Sequence, residues 1–112
     1  MTLYVLNTLI TPIDFDKKES AVVRFRKITP EEAKNIVKSE PFKSAVGHEG
    51  TAKLLSEIFE TNVPFNRETI FMDKGDKAVH FFLKERLPEG AVLSKDALKN
   101  LRYWIILSEV IE

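Results

Sequence analysis

The chain has 112 residues, no Cys, 17 Lys plus Arg against 17 Asp plus Glu, and 44% apolar against 30% charged residues. This is the balance of one soluble globule spanning 1–112, which excludes a disordered chain, a disulfide scaffold, a thiolate metal site and a Cys nucleophile. Such a length buries about two-thirds of the unfolded surface, enough for a core but not for a deep enclosed cavity plus a second domain.

In chain order, Leu3 to Leu6 is a short apolar run that reads as a buried strand ending at Asn7-Thr8. The start of the chain, MTLYVLNTLI, has no basic leader and reads as that strand rather than a signal peptide. Thr11 to Glu19 is a turn or loop. Ala21 to Arg26 alternates, with Ala21, Val23 and Phe25 on one face, and predicts a half-buried strand. Thr29-Pro30-Glu31-Glu32 carries a capping residue, Pro at the first helical position and Glu at the third, so a helix is expected over 30–38. Ala33, Ile36 and Val37 form its apolar stripe, and Pro41 lies just beyond its end.

Phe42 to Gly47 is less regular. A second helix is expected over 50–60, with Leu54, Leu55, Ile58 and Phe59 on its core face. Arg67 to Met72 and Lys77 to Lys84 read as a hairpin around Asp73-Lys74-Gly75-Asp76. The second of these strands is apolar on both faces and is expected to be central. Arg86 to Gly90 is a turn, Ser94 can cap a third helix through Leu101, and Trp104 to Ile111 is a last strand. The interleaving predicts an α/β or α+β single domain: a mixed four- or five-stranded sheet flanked by helices.

Few residues carry chemistry. His48, between Gly47 and Gly50, stands at a helix N-terminus, where free N–H groups and the macrodipole favour an anion. It reads either as a capping surface His or as a proton donor to a leaving oxygen. His80 reads as a mid-strand residue with a satisfied hydrogen bond. Arg67 and Arg86 could converge on a phosphate or simply be solvated or paired. Asn7, Thr8, Thr11, Asn66 and Glu89 read as turn or cap residues, as most residues in such places are, or as ligand contacts. With two His and no Cys, a structural zinc site is not expected, and no cofactor is implied. No apolar run is long enough to span a membrane, so the expected compartment is the cytoplasm. Zero net charge disfavours a long nucleic acid held by bulk electrostatics but permits one small anion.

Three blocks, Gly47-His48-Glu49-Gly50-Thr51, Asn66-Arg67 and Arg86-Leu87-Pro88-Glu89-Gly90, resemble in order and spacing the viral type III anti-CRISPR ring nuclease family. That family has plasmid, prophage and bacterial relatives. The start Leu6-Asn7-Thr8, with Thr11 nearby, resembles its first strand and following hydroxyl residue. The resemblance implies a homodimer that binds cyclic tetra-adenylate across the two-fold axis. It implies metal-free opening to linear di-adenylate with a 2′,3′-cyclic phosphate, which silences type III CRISPR signalling. It further implies that His48, Arg86 and Glu89 are catalytic, and that Asn7, Thr8, Thr11, Gly47, Thr51, Asn66 and Arg67 contact the substrate. A dimer would also lift the size limit by building one pocket from two protomers. The alternatives are a module that sequesters a cyclic oligonucleotide without cutting it, and a small phage or plasmid interaction protein.

Overall fold

The computed structural model of the chain describes residues 1–84 and 102–112. Its elements are β1 (Leu3–Leu6), β2 (Val23–Ile28), α1 (Pro30–Ser39), β3 (Phe42–Ala45), α2 (Glu49–Phe59), β4 (Lys77–Leu83) and β5 (Tyr103–Val110). The strands form one mixed sheet in the order β2-β5-β4-β1-β3. β1 is parallel to both its neighbours, β3 and β4. β5 is antiparallel to β4 and β2. The α+β expectation holds.

Both helices lie on one face of this sheet. Ala33 and Val37 of α1 and Leu54, Leu55, Ile58 and Phe59 of α2 share a core with Leu3, Val5, Val79, Phe81 and Ile105. These are the alternate residues of their strands, as the pleat requires. The opposite face is covered differently. Tyr4, Leu6, Ala78 and Val110 pack under Ile13, Ile70 and Met72, which come from loops. Next to that cover, toward β2, the face opens into a groove of about 380 Å³ lined by Leu9, Phe25, Lys27, Trp104 and Ile106.

α1 begins as its sequence predicts. Glu32 N–H donates to Thr29 Oγ1 at 3.1 Å, and Thr29 N–H donates back to Glu32 Oε1 at 3.3 Å. The second bond holds the Glu32 carboxyl below the usual carboxylate range. α2 stops at Phe59 because Glu60 turns left-handed, with φ of 51°. The Glu60 carboxylate accepts from Lys34 Nζ at 2.6 Å, tying the two helices together.

Three expectations need correction. The hairpin does not form. β4 pairs with β1 on one side and β5 on the other, so no edge is left for a strand at 67–72. That segment instead runs as extended loop over the second sheet face, with Met72 N–H donating to Pro12 O at 2.8 Å. The irregular stretch after Pro41 is a strand, β3, which supplies the fifth member of the sheet. β2 begins two residues later than expected and is an edge strand, its Arg24, Phe25, Arg26 and Lys27 exposed. The expected third helix lies outside the described residues.

Two buried ionisable groups are held by specific hydrogen bonds. The Asp76 carboxylate accepts from Thr2 N–H and Asp73 N–H, each at 2.8 Å, closing the turn before β4. His80, fully buried in β4, has Nδ1 at 2.7 Å from the Thr8 carbonyl and Nε2 at 2.7 Å from Ser108 Oγ. Burial pushes the His80 imidazole below its usual 6.5, partly opposed by the Thr8 carbonyl.

Thr29→Ala should lower unfolding free energy by about 1 kcal/mol, read from the urea midpoint. An unchanged midpoint would remove the capping box as a determinant of α1. The His80 shift has a signed consequence. The folded chain binds fewer protons here than the unfolded chain, so His80 contributes stability above 6.5 that is lost as pH falls below it. The thermal midpoint should therefore drop more steeply from about pH 7 to about pH 5 in the parent than in His80→Asn. Parallel curves would refute this.

Candidate functional site

The carboxyl ends of β1 and β3 lie side by side, with Leu6 opposite Ala45. In open sheets, ligands bind just beyond the carboxyl ends of parallel strands. Here each strand end delivers polar residues: Asn7 follows β1, and Gly47-His48 follow β3 through buried Val46. The two ends are joined directly, since Gly47 N–H donates to Asn7 Oδ1 at 3.3 Å. Residues forty positions apart in sequence are thus brought into contact by one parallel strand pair.

His48 is the N-cap of α2 and is exposed. Its Nδ1 accepts from Thr51 N–H at 3.1 Å and lies 3.1 Å from Thr51 Oγ1. An imidazole that accepts at Nδ1 carries its hydrogen on Nε2. On protonation, Nδ1–H would lose the backbone donor, but the Thr51 hydroxyl can then accept from it. Thr51 is buried, so this partner is held in place. Gly50 makes room for the imidazole: a Cβ there would lie 3.2 Å from His48 Cε1. The early N–H groups of α2, at Glu49 and Gly50, have no carbonyl within the helix to meet. They offer an anion a place beside the imidazole, although the exposed Glu49 carboxylate adds negative charge to the same turn.

Arg67 lies across Gly47. A Cβ on Gly47 would come 3.2 Å from Arg67 Cγ and 3.9 Å from Nε, so the glycine permits the arginine stem to rest there. Among the described residues Arg67 forms no ion pair. Asn66 fixes this approach: its N–H donates to Val46 O at 2.9 Å and its Nδ2 to Ser44 O at 2.7 Å and Glu68 Oε2 at 2.8 Å. Ser44 Oγ in turn donates to Pro64 O at 2.6 Å. Both Asn66 amide hydrogens are therefore used in holding 64–68 along β3.

Of the residues expected from sequence, His48, Gly47, Thr51, Arg67, Asn66 and Asn7 are gathered here. Thr8 meets the sheet through its carbonyl, bonded to His80. The Thr11 hydroxyl is buried with no hydrogen-bond partner and has no bond to the His48 cluster. Arg86 and Glu89 lie outside the described residues. Sequence reasoning missed Gly50 as clearance for His48 and Ser44 as an anchor for the Asn66 segment. The flanking glycines were the available signal for the first; nothing marked the second. Among the described residues no three His, Asp or Glu side chains are placed to share a metal ion, and no helix is long and apolar enough to cross a membrane.

Comparison with known proteins places this arrangement in a family. Uncharacterized protein 26 of Sulfolobus islandicus filamentous virus is 44% identical over 110 residues, covering 97% of this chain and 92% of that protein. The uncharacterized protein YddF of Bacillus subtilis is 34% identical over 110 residues, covering 96% of this chain and 95% of its own length. B116 of Sulfolobus turreted icosahedral virus shares the fold, with a TM-score of 0.77 at 21% identity, over 97% of this chain and 99% of that one. The family model described as STIV B116-like matches residues 3–105, from β1 into β5, and so takes in the whole of the His48 site; the chain belongs to the STIV B116-like family.

Proposed function

We propose that the chain is a metal-independent ring nuclease acting as a homodimer. It binds cyclic tetra-adenylate across the two-fold axis and opens it to linear di-adenylate with a 2′,3′-cyclic phosphate, shutting off type III CRISPR signalling. The observation that carries this reading is the exposed His48 imidazole. Thr51 holds it at the start of α2, and Arg67 rests across the adjoining Gly47. The ordered motif blocks around His48, Asn66-Arg67 and Arg86 to Gly90 support it as well.

The reaction balances without water. A ribose 2′-oxygen bonds to the adjacent phosphorus, the bond to the 5′-oxygen breaks, and the 2′-hydroxyl proton passes to solvent. The 5′-oxygen takes a proton, which protonated His48 supplies as general acid. Thr51 Oγ1 accepts from His48 Nδ1–H in that state and faces Nδ1 again after transfer, so the imidazole keeps its orientation through the cycle. Alignment of attacking oxygen, phosphorus and leaving oxygen supplies much of the rate. Arg67 and Arg86 stabilise the charge gathering on the phosphoryl oxygens, and Glu89 orients Arg86. Two protomers cut opposite phosphates of a two-fold substrate, which yields dinucleotides.

A second reading has its own observation. The Nδ1 atom of His48 already serves as the helix cap, which is all that a non-catalytic binder of cyclic oligonucleotides would need. Incubation with cyclic tetra-adenylate and analysis of products separates the two. In excess EDTA the parent should convert it to di-adenylate with a cyclic phosphate end. His48→Ala should bind it comparably and cut it at least about a hundredfold more slowly. Cleavage by His48→Ala at the parent rate, or a strict metal requirement, would sink the mechanism. Thr51→Val keeps the backbone cap and removes the hydroxyl, so single-turnover cleavage should slow about tenfold with the thermal midpoint nearly unchanged. An unaltered rate would take Thr51 out of the catalytic cycle.

A further inference from the structure

His80 is used by none of the steps above, yet it is the most completely enclosed ionisable side chain in the sheet. It lies in β4 opposite Leu6 of β1 and Ile106 of β5. Its side chain faces away from the helices, beneath the Phe25 ring, whose centroid is 6.3 Å away. Its two hydrogen bonds fix its chemistry. The Thr8 carbonyl can only accept, so Nδ1 must carry the hydrogen that meets it at 2.7 Å. Nε2 is then the acceptor, and Ser108 Oγ–H donates to it at 2.7 Å.

These bonds lead to the candidate site. Thr8 stands in the bend that ends β1. Its neighbour Asn7 accepts from Gly47 N–H, and Gly47 precedes His48. A continuous series of contacts therefore runs from Ser108 on β5, through His80 on β4 and the bend after β1, to the start of α2. Among the described residues no other donor meets the Thr8 carbonyl, so without His80 the bend would be free to carry Asn7 away from Gly47.

We propose that His80 is a positioning residue for the His48 site: with its hydrogen on Nδ1, it pins the Thr8 carbonyl and thereby holds Asn7 against Gly47. Its effect on cleavage rests on the ring-nuclease reading; its effect on Gly47 does not. It touches no substrate and acts only through Thr8 and Asn7. Ser108 selects the hydrogen position by occupying Nε2 as a donor. A small displacement of His48 would be costly, because misplacement of about 1 Å can slow a reaction about a hundredfold.

The test has three readouts. Nitrogen-15 NMR of histidine-labelled parent should show His80 with hydrogen on Nδ1 and a bare Nε2; the reverse tautomer would overturn the proposal. Amide hydrogen exchange should show Gly47 N–H losing protection in His80→Leu while amides of β4 keep theirs. Unchanged exchange at Gly47 would also overturn it. In cleavage of cyclic tetra-adenylate, His80→Leu should lower kcat about tenfold or more with KM nearly unchanged. His80→Asn, whose Nδ2 can replace Nδ1 as donor to Thr8, should restore most of both the rate and the Gly47 protection. Failure of that rescue would leave only a packing role and defeat the proposal. If the parent cuts no cyclic oligoadenylate, the ring-nuclease reading falls, while the tautomer and the Gly47 exchange still decide the positioning role. Should His80→Leu fail to fold, the parent tautomer and His80→Asn carry the test.

Discussion

The parallel pairing of β1 with both β3 and β4 governs everything else in this molecule. β1 is only four residues long, and all four are buried. Its chain leaves the sheet at Leu6, opposite Ala45 at the carboxyl end of β3 and opposite His80 within β4, so the next residues are placed beside both. That exit sets Asn7 beside Gly47 and Thr8 over His80. The same pairing excludes the hairpin that 67–84 would otherwise make, and frees 67–72 to cover the second face of the sheet. One short strand thus determines both the architecture and the position of the His48 loop.

Around that strand, polar groups do the ordering that apolar packing cannot. The helix face is a close-packed apolar core, in which Phe59, Leu54 and Leu55 are fully enclosed. The hydrophobic driving force behind such packing is not directional. The other face and the strand ends carry directional contacts: Asp76 on Thr2 and Asp73, Asn66 on Ser44 and Val46, His80 on Thr8 and Ser108. A buried donor or acceptor left without its partner costs about 1–3 kcal/mol. These bonds therefore select one arrangement of the loops that carry the candidate site.

The site makes sense of two glycines and a threonine together. Gly47 admits the Arg67 stem, Gly50 admits the His48 imidazole, and Thr51 grips Nδ1 from beneath. A capping histidine needs only the Thr51 backbone. The additional hydroxyl on the same nitrogen is what a histidine that changes protonation state would require. Membership of the STIV B116-like family extends this fold across viruses of archaea and a bacterial relative. The proposed ring opening would serve either setting, since it would silence a host defence in one and moderate it in the other.

Sequence by itself determined the local features, because their causes are local. The Thr29 capping box, the apolar stripes of α1 and α2, the apolar run of β4 and the turn at Asp73 to Asp76 each depend on residues a few positions apart. It also singled out His48, since the flanking glycines and the helix start are contiguous with it. Only the tertiary structure decided which strands pair. The extended run 67–72 has a strand's composition but no edge to join, while Phe42–Ala45, less regular to read, has a free edge of β1 beside it. Tertiary structure likewise decided that Asn7 meets Gly47, that Arg67 crosses it and that His80 reaches Thr8. Those contacts span tens of residues, and their partners are chosen by strand order, a property no short window of sequence contains. The balanced charge and small size bounded the possibilities; the parallel exit of β1 turned them into a particular site.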